Sequence, residues 1–107
     1  MPLENQPLMV TASFRIREDK IQCFAEAEDS ILALLPVFGA ELRARIRHSD
    51  YTENGETPFE THILSFPDQD SFSDFLVDKE LEKYRDQCAQ AILRKSVWKG
   101  HDTSANS

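Results

Sequence analysis

The chain has 107 residues, 40% of them hydrophobic and 29% charged, with a formal net charge of −7 and a pI near 4.8. This is the length and composition of one soluble globular domain, and the acidic balance argues against nucleic acid as a partner. No apolar run approaches the ~20 residues of a membrane span, and MPLENQP lacks the basic and apolar regions of a signal peptide, so a cytoplasmic protein without a membrane partner is expected.

Residues 1–7 carry Pro2 and Pro7 without periodicity and read as a flexible arm ahead of a single domain over 8–100. The domain opens with its clearest strand. Leu8, Val10, Ala12, Phe14 and Ile16 alternate with Met9, Thr11, Ser13, Arg15 and Arg17, giving one face for helices and one polar face. Asp19 and Gln22 have the spacing of a capping box, and they open a helix with apolar positions at Ile21, Phe24, Ala25, Ile31, Leu32 and Leu35. Pro36 stops that helix and Gly39 frees the turn after it. Glu26, Glu28 and Asp29 lack His or Cys company at ligand spacing and read as a solvated helix face.

In the second strand Ala40, Leu42, Ala44 and Ile46 point one way, with Glu41, Arg43, Arg45 and Arg47 the other. The polar loop 49–58, with Asn54-Gly55, is longer than a tight hairpin needs and leaves room for a lid. Phe59, Thr61, Ile63 and Ser65 then alternate with Glu60, His62, Leu64 and Phe66 in a third strand with both faces partly covered, ended by Pro67. Asp68 caps the next helix, whose stripe runs through Phe72, Phe75, Leu76, Tyr84, Cys88, Ala91 and Ile92. The stripe lapses between Leu76 and Leu81, where Asp78 is placed to cap a second segment, so a kink is expected. Val97 and Trp98 mark a short closing strand before Gly100, and 101–107 read as a disordered tail.

The expected order is strand at about 8–17, helix at about 19–35, strands at about 40–48 and 59–66, helix at about 69–93 and strand at about 95–99. Two βαβ units with right-handed crossovers make an α+β, ferredoxin-like βαββαβ domain, a four-stranded antiparallel sheet with both helices on one face. The other sheet face is left for solvent, a ligand or a second subunit.

Phe66-Pro67, Phe72, Phe75, Asp78, Tyr84 and Gly100 lie in the run SFPDQDSFSDFLVDKELEKYRDQCAQAILRKSVWKG, which resembles the second half of the dimeric α/β-barrel superfamily. That group includes antibiotic-biosynthesis-monooxygenase-like, stress-responsive A/B-barrel and many uncharacterised domains. Lys79 stands where such proteins often have Pro. The resemblance implies a homodimer in which two sheets face each other and the space between them holds whatever site exists. The Asn, Trp and His set of the haem-degrading members has no counterpart here, so the resemblance carries over no catalytic residue.

Candidate chemistry comes from the strand arginines. Ser13, Arg15, Arg43 and Arg45 share the polar sheet face in this reading, and His62 joins them if it pairs opposite Arg45. Guanidinium groups in a partly dry cavity would hold a small organic acid, with His62 as general base and Trp98 at the barrel mouth. The competing reading makes the arginines structural, with Arg47 and Glu60 a cross-strand ion pair. Cys23 and Cys88 have no CxxC or histidine neighbour and are expected as free thiols. No cofactor or metal is called for. The expected function is a small-molecule binding protein at the arginine-lined sheet face; the alternatives are a cofactor-independent monooxygenase-like or isomerase-like enzyme, or a structural module.

Overall fold

Period-two alternation sets the centre of the fold. In strand β1, Leu8–Ile16, every second residue from Leu8 is buried and those between are partly exposed, as its sequence pattern requires. The computed structural model describes residues 6–104, so most of the expected arm, and residues 105–107 of the tail, lie outside the described residues. After β1 come helix α1, Ile21–Leu32; strands β2, Glu41–Arg47, and β3, Glu60–Phe66; helices α2, Gln69–Leu76, and α3, Lys79–Gln87; and strand β4, Ile92–Gly100. The strands form one antiparallel sheet in the order β2-β3-β1-β4, which is the ferredoxin-like arrangement.

The helix caps follow the sequence in the second half. The Asp68 carboxylate accepts a hydrogen bond from Ser71 N–H at 2.7 Å, opening α2, and Asp78 accepts from Leu81 N–H at 3.1 Å, opening α3 after the expected break. At the start of α1 the sequence misleads. A 3-10 turn over Glu18–Lys20 precedes the helix, Lys20 takes the capping position, and no side chain caps it, so the Asp19–Gln22 box does not form. Helix α1 ends at Leu32, and Pro36 lies in a separate 3-10 turn, Leu35–Phe38. Gly39 closes that turn at φ 67°, and a Cβ there would come within 3.0 Å of Pro67 Cγ. The closing strand is longer than expected. Ala91 lies in a 3-10 turn and Ile92 begins β4, where helix was expected.

Leu8, Val10, Leu64 and Phe66 pack against Ile31, Leu35, Phe72, Phe75 and Leu81 at one end of the sheet. Phe14, Ile16 and Phe59 pack against Phe24, Ala27, Cys88 and Ala91 at the other. The rings meet edge-on, with Phe14 and Phe24 centroids 5.3 Å apart and those of Phe66 and Phe72 at 5.1 Å.

One further expectation is corrected here. Cys23 and Cys88 are joined in a disulfide, with Cα atoms 6.0 Å apart, tying α1 to the end of α3; their separation of 65 residues hides that proximity from the sequence. The 49–58 loop is fastened down. Tyr51 Oη accepts from Ile16 N–H at 3.0 Å and donates to the Ile16 carbonyl, while the Glu18 and Glu53 carboxylates accept each other's backbone N–H at 3.0 and 2.8 Å. Among the described residues no helix is long and apolar enough to cross a membrane.

Candidate functional site

The pairing of β2 with β3 decides where the arginines point. Leu42 sits opposite Leu64, the register slips at Arg43, and from there Arg45 lies opposite His62 and Arg47 opposite Glu60. The bulge turns the rest of β2 over. Arg45 and Arg47 therefore share the helix-covered side with Glu60, His62, Leu64 and the buried residues of β1, while Ala44 and Ile46 face the open side. The expected grouping of Ser13, Arg15, Arg43, Arg45 and His62 on one face is thus divided by the sheet. Ser13 and Arg15 stay on the open side with Trp98, and Arg43 occupies the bulge, 3.5 Å from Glu41.

On the helix side a chain of charged groups runs through the core. Glu60, 2% exposed, accepts hydrogen bonds from Arg45 Nε at 2.6 Å and from Arg47 at 2.9 and 3.1 Å. Arg45 also donates to the Asp29 carboxylate at 2.6 Å. His62 Nε2 lies 2.7 Å from Glu60, and its Nδ1 lies 3.6 Å from Glu28. Its ring is held against Phe14, with centroids 5.0 Å apart.

The two buried acids are driven in opposite directions. Burial pushes Glu60 upward, but hydrogen bonds from His62, Arg45 and Arg47 more than offset it and leave a pKa of about 2. Glu60 is therefore a carboxylate that accepts from His62 Nε2–H, which leaves Nδ1 turned toward Glu28. Burial also raises Glu28, and the opposing pull of His62, then of Lys95 and Arg45, only partly offsets this. Glu28, in the second half of α1, is thus a desolvated acid facing the second ring nitrogen of His62.

This pair faces a cavity. A chamber of about 60 Å³ between sheet and helices is lined by Glu28, His62, Arg85 and Lys95 among apolar walls including Val10, Phe14, Leu64 and Phe75. A larger cleft of about 470 Å³ between α1, α3 and β4 shares Phe14, Glu28, Arg85 and Lys95 with it. Lys95 extends over Phe14, with Nζ 5.7 Å from the ring centroid, and desolvation lowers its pKa against the pull of Glu28. The chamber has room for a few waters or a small polar group, and the cleft has the size of a small organic ligand. Among the described residues, no group of three or more His, Cys, Asp or Glu is placed to hold a metal ion.

Glu28, Glu60 and Lys95 are absent from the sequence-derived site. Glu28 does not lie on a solvated helix face: it is 6% exposed, because it falls four residues after Phe24 and three before Ile31, on the apolar stripe. An acid on that stripe is the signal that could have found it.

No family model matches the sequence, and no curated protein does. Solved structures do. A protein from Nitrosomonas europaea, provisionally assigned as an antibiotic biosynthesis monooxygenase, superposes with a TM-score of 0.76 at 9% identity over 97% of both chains. A protein of unknown function from Rhodopseudomonas palustris gives 0.73 at 10% identity, over 92% of this chain and 83% of that one. A nipsnap family protein of unknown function from Agrobacterium tumefaciens gives 0.66 at 14% identity, over 92% and 89%. At these identities the likeness is one of fold, and the fold shared is ferredoxin-like.

Proposed function

We propose that the chain works as a homodimeric α/β-barrel protein whose subunits each admit a small polar or anionic organic molecule through the cleft between α1, α3 and β4 to the chamber that His62 lines. There it acts as a cofactor-independent enzyme of the isomerase or monooxygenase-like kind. The observation that carries this reading is the buried His62, fixed through Nε2 to Glu60 and presenting Nδ1 to Glu28 and the chamber.

The chemistry begins with a carbon acid, a C–H next to a carbonyl. His62 Nδ1 takes the proton, the imidazolium formed is held between Glu60 and Glu28, and the electron pair left behind moves onto the carbonyl oxygen as an enolate. Lys95 and Arg85, in the walls shared by chamber and cleft, supply positive charge for that oxygen. Returning the proton to another carbon is an isomerisation. Reaction of the enolate with dioxygen is an oxygenation, and the name given to the Nitrosomonas neighbour lends that branch support.

The binding-only function expected from the sequence is less well supported, because the arginines invoked for it, Arg15, Arg43 and Arg45, do not meet in one place. A purely structural module would not need a raised acid and a histidine on a cavity wall. The cytoplasmic location remains our reading, and in a reducing compartment Cys23 and Cys88 would stand as adjacent thiols.

The test is proton exchange. Incubated in D₂O with a panel of 2-oxo acids and 1,3-dicarbonyl compounds, the protein is expected to accelerate deuterium incorporation into at least one, followed by proton NMR. His62→Asn should cost about a hundredfold or more of that rate. A folded wild-type protein that accelerates no member of the panel, or a folded His62→Asn variant as fast as wild type, overturns the enzymatic reading.

A further inference from the structure

The open side of the sheet holds a second constellation. Along the β1–β4 pair, Arg15 lies opposite Arg94, Ser13 opposite Ser96 and Thr11 opposite Trp98. Like charges directly across an antiparallel pair repel unless something neutralises them. Arg15 donates to the Glu53 carbonyl oxygen at 2.6 Å and lies 5.9 Å from the Tyr51 ring centroid, and neither partner carries a compensating charge. Among the described residues neither Arg15 nor Arg94 has an acidic side chain within ion-pair distance, although the Glu56 carboxylate is in the same pocket.

That pocket, about 170 Å³, is lined by Ser13, Arg15, Glu56, Arg94, Ser96 and Trp98 together with Pro58. Within one subunit Trp98 is 61% exposed, a large apolar ring at the end of the pocket away from the guanidinium groups, on the face that the proposed homodimer turns to the space between its two sheets. The Ser13 hydroxyl is already fixed. It lies 3.0 Å from Thr61 Oγ1 on β3, which in turn lies 2.8 Å from Nε2 of His48, just past the end of β2, so a hydrogen-bond chain beside the pocket holds it in place.

We propose that this pocket binds a small aromatic carboxylate, its carboxylate held by the fork donors of Arg15 and Arg94 and its ring laid on the indole of Trp98. A planar carboxylate matches the guanidinium geometry, and the indole face adds a contact that a bare inorganic anion cannot use. The net charge of −7 makes a specific anion site a local exception to the surrounding field. The site is independent of the cleft, from which it is separated by the sheet.

Trp98 is the only tryptophan in the chain, so intrinsic fluorescence reads this pocket alone. The full-length protein is titrated with 3-phenylpropanoate, following Trp98 emission and, in parallel, heat by calorimetry. Saturable binding with a change in emission is expected. Arg15→Gln and Arg94→Gln should each weaken it by roughly tenfold or more, while Arg43→Gln, which removes the same charge from the β2 bulge, and His62→Asn, on the chamber across the sheet, should leave it unchanged. Trp98→Ser, read by calorimetry, should also weaken binding. Absence of saturable binding overturns the site, as does equal affinity for inorganic phosphate with no dependence on Trp98. So does a change in sedimentation of Arg94→Gln with ligand affinity intact, which would assign the arginines to a subunit contact. Loss of affinity in a folded His62→Asn would place the ligand in the chamber instead.

Discussion

The two sides of the sheet use the same residue types to different ends. On the helix side Arg45 and Arg47 converge on Glu60, and Arg45 reaches Asp29 as well, so each guanidinium meets a carboxylate. On the open side Arg15 and Arg94 face each other across β1 and β4, and among the described residues neither is in an ion pair. Within one small sheet, an arginine is structural or available according to which acid the fold brings to it. Residue type and strand position do not determine this; register does.

The comparison breaks most visibly at Glu60. Replacing it by Gln removes the carboxylate that gathers three donor side chains in a nearly dry site, and about 3 kcal/mol of folding stability should go with it. Urea unfolding measures this directly. Arg94→Gln, its counterpart on the open side, should change stability by less than about 0.5 kcal/mol. Similar losses from both would mean that the two faces do not differ as described.

Acid sharpens the same contrast. The Glu60 pKa is depressed from 4.5 to about 2, so its stabilisation is fully present above the unfolded value and is lost as pH falls through the folded one. The shift corresponds to about 3 kcal/mol, to be seen as a steep loss of stability from pH 4.5 down to about 2, and absent from Glu60→Gln. Glu28 works in the reverse sense. Its pKa is raised, so the folded state holds a proton that the unfolded chain has released, and stability declines as pH climbs from 4.5 through the folded value.

How much of this is legible in the sequence depends on how local its cause is. Period-two alternation fixed β1, and Asp68 and Asp78 announced their helices, because alternation and capping act over a few residues. The phase of β2 was misread. Ala40, Leu42, Ala44 and Ile46 look like one buried face, but the slip at Arg43 puts Leu42 with Arg45 and Arg47, and only the register with Glu60 and His62 reveals it. Asp19 failed as a cap because the chain tightened into a 3-10 turn first. The proximity of Cys23 to Cys88 and of Glu28 to His62 are tertiary facts, although Glu28 on an apolar stripe was a visible anomaly. His62, Arg15 and Trp98 are each visible in the sequence as candidates, but the partition between faces that gives each its setting is not.

A modest effect on stability is the most informative about function. Glu28 is buried without the convergent donors that Glu60 enjoys, and its separation of 3.6 Å from His62 Nδ1 is longer than a hydrogen bond. Glu28→Gln keeps the shape and removes the cost of ionising a desolvated acid, so at neutral pH the variant should be more stable than wild type, by about 1 kcal/mol. The same variant should lose proton-exchange activity, since an amide supplies no negative charge to hold the imidazolium formed on His62. Gain of stability with loss of activity marks an acid kept for its chemistry at the expense of the fold. A variant that loses stability would show instead that Glu28 holds the core together as Glu60 does, and the helix side would then be structural throughout.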